Sequence, residues 1–222
     1  MPDQPDPPAR PHAVFDFDGV LVRRDSTVEL LRRRFRRHPV LLPLAAGPLT
    51  AYAATGLVPP LRAPAARVVV RAGLLGARRA AVEEESRLLG ATLAADPRWR
   101  VDAGVRAMRA HLVDGDVTVV SAGLGSTVRA YLDELGLSDV RVVASRVAGA
   151  LGGAQLGDHT YGPAKVVRAA ASGLRSWDHA YTDAASDFPL LEPARHRYLV
   201  NASRPVVAAA RRRWPDVHVL TW

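Results

Sequence analysis

The chain has 222 residues, enough to bury a core as one domain or as one domain with a large insertion. Its formal charge of +8 draws it toward anions such as phosphorylated metabolites, membrane surfaces or nucleic acid, with a compositional drift toward arginine as the competing explanation. It has no cysteine, which excludes disulfides, thiol catalysis and thiolate metal sites, and its seven histidines show no His-x-x-x-His or Glu-x-x-His spacing to suggest zinc.

Residues 1–11 carry prolines at 2, 5, 7, 8 and 11, and the composition predicts a disordered tail. No apolar run follows a basic start, so no secretory signal is expected. The first strand is predicted over 13–17. It leads into Asp16-Phe17-Asp18-Gly19. Side chains two apart on a strand share a face, so Asp16 and Asp18 can converge where the chain turns at Gly19. Two carboxylates in an apolar setting are costly unless they hold a cation or share a proton. Simple turn chemistry at Asp-x-Asp-Gly is the alternative.

Residues 22–38 read as a helix. Ser26 and Glu29 have capping-box spacing, and Val28, Leu31 and Phe35 share a face. Arg32, Arg33, Arg34, Arg36 and Arg37 cover the rest, as a solvated face or an anion-binding one. From Pro39 to Leu61 there are 23 residues without a charge. Prolines at 39, 43, 48, 59 and 60 argue against one membrane-spanning helix. Short helices packing a cap are expected there, or a segment lying on a membrane surface. Residues 62–98 continue as helices, and Pro97 marks the return. Residues 23–99 are thus expected to be an all-helical insertion into a main domain made of 12–22 and 100–222.

From Val101 helix and strand alternate. Helices are predicted over 102–113, 125–136, 163–172 and 204–213. Strands are predicted over 117–121, 140–144, 178–182, 197–200 and 217–220, with a hairpin in the glycine-rich stretch 145–157. This alternation implies an α/β fold with a doubly wound, Rossmann-like parallel sheet. Such sheets bind ligands at the carboxyl ends of their strands. Asp16, Ser121 and Asp183 all fall at predicted strand ends. Lys165 is the only lysine, so the other 29 of the 30 basic residues are arginine. A compact ammonium suits a tight anion pocket where a wide guanidinium does not fit.

Asp16-x-Asp18, then Ser121-Ala122-Gly123, then Lys165, then Asp183 and Asp187 four residues on resemble, in that order, the haloacid-dehalogenase-like superfamily. The closest likeness is to its phosphoserine-phosphatase-like branch. The resemblance spans Asp16 to Asp187 and implies an Mg2+-dependent phosphomonoester hydrolase with a helical cap. It implies Asp16 as nucleophile and Asp18 as general acid and base. It further implies an Mg2+ site of Asp16, the Asp18 backbone carbonyl and Asp183, with Asp187 orienting a metal-bound water, and a phosphoryl group on Ser121, the Ala122 and Gly123 amides and Lys165. Asp18 separates phosphatases from dehalogenases, which lack it. The small residues Ala184 and Ala185 after Asp183 depart from the usual polar ones. Asp25-Ser26-Thr27 and the uncharged stretch resemble lipid-phosphate phosphatases. The expected partner is therefore a small-molecule or lipid phosphomonoester, with peripheral membrane contact through the cap and no nucleic acid, in the cytoplasm. Two readings compete. A signalling receiver domain lacks both the second carboxylate and the insertion, and a non-catalytic domain of the same fold would act through its basic cap alone.

Overall fold

The computed structural model describes residues 10–54 and 62–222. The tail expected over 1–11 lies outside these up to residue 9. Pro11 already joins the fold, its carbonyl accepting from the Asp116 amide at 2.9 Å. The last residues of the uncharged stretch, 55–61, also lie outside.

Among the described residues seven strands form one sheet: β1 His12–Phe15, β2 Asp116–Leu124, β3 Arg141–Ala150, β4 Gly153–Asp158, β5 Trp177–Thr182, β6 Ala194–Val200 and β7 His218–Leu220. Their spatial order is β4-β3-β2-β1-β5-β6-β7. All neighbours are parallel except β3 and β4, the predicted hairpin. The chain builds outward from β1 on one side, then returns and builds on the other. The order therefore reverses at β1, and the crevice beyond β1, β2 and β5 is where such a sheet receives a ligand.

Strand periodicity splits the core between two faces. Phe15, Val117, Val119 and Tyr181 point into one apolar cluster, and Val14, Val120, Ala180 and Leu199 into the other. α5 (Asp102–Asp114) and α6 (Gly125–Glu134) cover the first face, and α7 (Pro163–Ala171), α8 (Phe188–Leu191) and α9 (Arg204–Arg213) the second. β2 does not stop at Ser121. A register shift between Ser121 and Leu124 carries the strand three residues further as a bulge, which sequence patterning does not reveal.

Between β1 and α5 the described residues form four helices: α1 Ser26–Arg37, α2 Leu41–Ala54, α3 Arg62–Gly73 and α4 Arg79–Ala95. The connecting segments run side by side. The Arg23 amide donates to the Trp99 carbonyl at 2.8 Å, and the Val101 amide to Leu21 at 2.9 Å. α4 packs along α6 of the core, where a Cβ on Gly90 would lie 2.2 Å from the Thr127 carbonyl. The loop after α3 also pairs with the β3–β4 hairpin, Gly76 donating to Gly152 at 2.9 Å and Ala154 to Ala77 at 2.8 Å.

Two local expectations need correction. Asp25, and not Ser26, caps α1: its carboxylate accepts from the Val28 amide at 2.9 Å. The arginine cluster is not all solvated either. Arg34 is buried, donating to the Gly73 carbonyl at 2.8 Å and to Glu85 at 2.7 Å. It ties α1 to the end of α3 and to α4. No helix among the described residues is long and apolar enough to cross a membrane.

Candidate active site

Asp16 and Asp183 are each placed by the end of a strand. β1 ends at Phe15, so Asp16 is the first residue in the crevice, its amide still paired with Tyr181 of β5 at 2.9 Å. β5 ends at Thr182, which places Asp183 beside it. A short 3-10 turn, Ala185–Asp187, brings Asp187 back to the same point. The spacing of Asp183 and Asp187 therefore comes from a bend and a tight turn, not one turn of α-helix. Gly162 opens α7, and Lys165 enters from its first turn.

The Lys165 ammonium lies 2.8 Å from Asp16 Oδ1 and 3.0 Å from Asp187 Oδ1. All three side chains are buried. Asp16 Oδ1 also accepts from the Phe17 amide at 2.7 Å, which fixes the carboxylate's orientation. Carboxylate oxygens of Asp16, Asp183 and Asp187 lie within 4.8 Å of one another.

This cluster fits a divalent cation on three grounds. It gathers three carboxylates against a single ammonium, a deficit of two positive charges. All donors are oxygens, the chemistry of Mg2+ and Ca2+ sites. Asp187 Oδ1 is buried without a hydrogen bond of good geometry. The electrostatics agree. Burial pushes Asp16 well above the carboxylate range, against the pull of Lys165. Burial and then the Asp187 charge push Asp183 up to about 6. Burial alone would lower Lys165, but the two facing carboxylates hold it above its ordinary value.

Asp18 does not point into that cluster. Its carboxylate accepts from the Ser26 amide at 2.8 Å and the Ser26 hydroxyl at 3.2 Å. Burial, and then the charge of Asp25, raise it to about 7. A carboxyl raised in this way can hold or release a proton near neutrality, and it sits at the start of the insertion. Ser26 is the contact that sequence reading missed. The signal was present in Asp25-Ser26-Thr27, but capping spacing assigned Ser26 to the helix instead.

Two glycines leave room for these side chains. Gly19 has φ +79°, and a Cβ there would lie 2.1 Å from Asp183 Oδ2. A Cβ on Gly123 would lie 2.7 Å from Ser26 Oγ and 3.5 Å from Asp18 Oδ2. Ser121 is buried in β2, and its Oγ accepts from the Gly123 amide at 2.9 Å. The Gly123 N–H is therefore already engaged, while the Ser121 hydroxyl proton remains available to donate. Ala122 lies in the same bulge, its carbonyl accepting from Ser145 at 2.7 Å.

Residues 13–192 match the family described as haloacid dehalogenase-like hydrolase. No curated protein matches the sequence. Among solved structures, the chain is similar to a phosphoserine phosphohydrolase-like protein from Francisella tularensis, with 16% identity and a TM-score of 0.65, covering 94% of each chain. It is also similar to a protein of unknown function from Bordetella pertussis, with 20% identity and a TM-score of 0.57, covering 96% of this chain and 98% of that one. A substrate-bound phosphoserine phosphatase shares the fold at 17% identity and a TM-score of 0.56, covering 97% and 94%.

Proposed function

The chain belongs to the haloacid dehalogenase-like hydrolases, and we propose that within that family it is an Mg2+-dependent phosphomonoester hydrolase working through an aspartyl-phosphate on Asp16. The observation that carries this reading is the pairing of two carboxylates in different states. Asp16 is clamped by Lys165 in an acidic cluster, while Asp18, two residues on, is held apart by Ser26 as a proton carrier. A receiver domain has no use for the second carboxylate.

The Asp16 carboxylate attacks phosphorus, and the bond from phosphorus to the ester oxygen breaks. Asp18 gives its proton to the departing alkoxide. Asp18, now ionised, takes a proton from water as that water attacks the phosphorus of the aspartyl-phosphate. The bond from phosphorus to Asp16 breaks and inorganic phosphate is released. Ser121 donates its hydroxyl hydrogen to a phosphoryl oxygen, with the Ala122 amide beside it, and Lys165 offsets the oxygens' charge. Gly123 supplies space next to Asp18. Asp16, Asp183 and Asp187, with the Asp18 backbone carbonyl, would hold Mg2+, whose charge lets two anions approach. The helices α1 to α4 would form the cap over this centre.

The test is release of inorganic phosphate from a panel of phosphomonoesters. Asp16→Asn and excess EDTA should each abolish turnover. Full multiple-turnover hydrolysis by the pure Asn variant would falsify the mechanism.

A second reading has an observation of its own. Val40 and Leu44 of the cap are 76% and 57% exposed, beside an arginine-rich α1. That combination supports peripheral contact with an anionic membrane and a lipid phosphomonoester as substrate.

A further inference from the structure

Outside the carboxylate cluster, the feature of greatest chemical promise among the described residues is a groove of 720 Å³ between α1, α2 and α3. This is the size of a pocket that buries a small organic ligand. Its walls are Val28, Leu31 and Phe35 of α1, Leu42 and Leu49 of α2, and Val69 of α3. The face that sequence periodicity marked on α1 thus does not close against the other helices. Val28 is left 60% exposed, Leu42 48% and Leu49 39%. Buried apolar packing would have covered them; an open apolar groove this long calls for an occupant.

Its position says which. Asp25 lines one end of the groove, and the next residue is Ser26, which holds Asp18. From there the groove follows α1 to Phe35, ten residues on, or about 15 Å along the helix axis. A phosphomonoester with its phosphorus at Asp16 must send its alcohol portion past Asp18. Beyond Asp25 and Thr27 the groove is walled mostly by hydrocarbon, with Arg32, Arg36 and Tyr52 also along it.

We infer that the groove is the subsite for the substrate's own apolar chain, so that the enzyme prefers phosphomonoesters of long-chain alcohols, one chain per site. This rests on the phosphatase reading above and gives it a substrate class.

The experiment is a homologous series from ethyl to dodecyl phosphate, each kept monomeric, with Mg2+ present. kcat/KM should rise about fourfold per methylene while the chain fills the groove, equivalent to ~0.8 kcal/mol each. Val28→Asp and Leu42→Asp place a charge on exposed groove positions without disturbing the core. They should flatten that rise. A flat profile in the wild type, with ethyl phosphate still hydrolysed, overturns the groove inference and leaves the phosphatase reading standing. If no ester is hydrolysed, the phosphatase reading falls, and calorimetry with decyl phosphonate decides the groove alone. Binding that Val28→Asp weakens at least tenfold supports it, and equal binding overturns it. A wild-type dimer that Val28→Asp splits in sedimentation would instead give the groove to a second copy of the chain.

Discussion

Lys165 lies between two carboxylates at 2.8 and 3.0 Å with no exposed surface to give, so a larger cation has nowhere to go. Lys165→Arg keeps the charge and changes only the shape. It should lower kcat/KM at least tenfold, ~1.4 kcal/mol, in steady-state assays. Wild-type kinetics would make the lone lysine an accident of composition. Asp18 gives a test by pH. Its folded pKa of about 7 lies above the value in an unfolded chain, so between the two the folded state binds the extra proton. Its contribution to stability is therefore complete below about pH 4 and is lost as pH rises toward 7. Asp18→Asn removes the titration. In EDTA, the variant should gain on the wild type by a few kcal/mol between pH 4 and 8, at ~1.4 kcal/mol per pH unit separating the two midpoints. Denaturant melts at several pH values measure the difference, and a constant offset would contradict it. At this scale the sequence was readable where a side chain's place follows from a strand end, as for Asp16 and Asp183. It was unreadable where partners come from elsewhere in the fold. Ser26 could not be given to Asp18, nor Arg34 to Gly73 and Glu85, without knowing how α1 sits.

Elements were legible in proportion to their periodicity. Most strands and helices after Val101 fall where alternation places them, while the short α8 was not foreseen. The bulge at Ser121–Leu124 was not, since a bulge changes pairing without changing pattern. Nor could the sequence show how the insertion is fastened. Its loop 75–77 runs against the hairpin, where Gly153 has φ +127° and a Cβ would lie 2.6 Å from the Gly76 nitrogen. Arg71 adds a bond to the Ala154 carbonyl at 3.1 Å. Gly153→Ala should break this latch and cost about 1–3 kcal/mol, from the strained backbone and the contact. Hydrogen exchange locates the damage. Amides of 76–77 and 152–154 should exchange faster while those of β1 and β2 keep their protection. Uniform acceleration would mean that the latch is inseparable from the global fold.

For the molecule as a whole, the remaining question is where its charge of +8 is directed. Much of it sits on α1, whose Arg32, Arg36 and Arg37 are exposed, next to Val40 and Leu44 at the start of α2. An arginine near an anionic lipid surface contributes about 1 kcal/mol, and salt screens it over roughly 10 Å at 0.1 M. Three arginines and two apolar side chains are enough for reversible adsorption, not for insertion. The membrane reading therefore predicts that the protein floats with anionic vesicles at low salt, stays behind with neutral ones, and is released as salt rises. Leu44 does not line the groove. Leu44→Asp should abolish flotation and leave the dependence of kcat/KM on alkyl chain length as it was. Val28→Asp should do the opposite. If the wild type stays in the soluble fraction with every vesicle and salt, the exposed residues of α2 are only the outer surface of a lid, and its substrate reaches the groove from water.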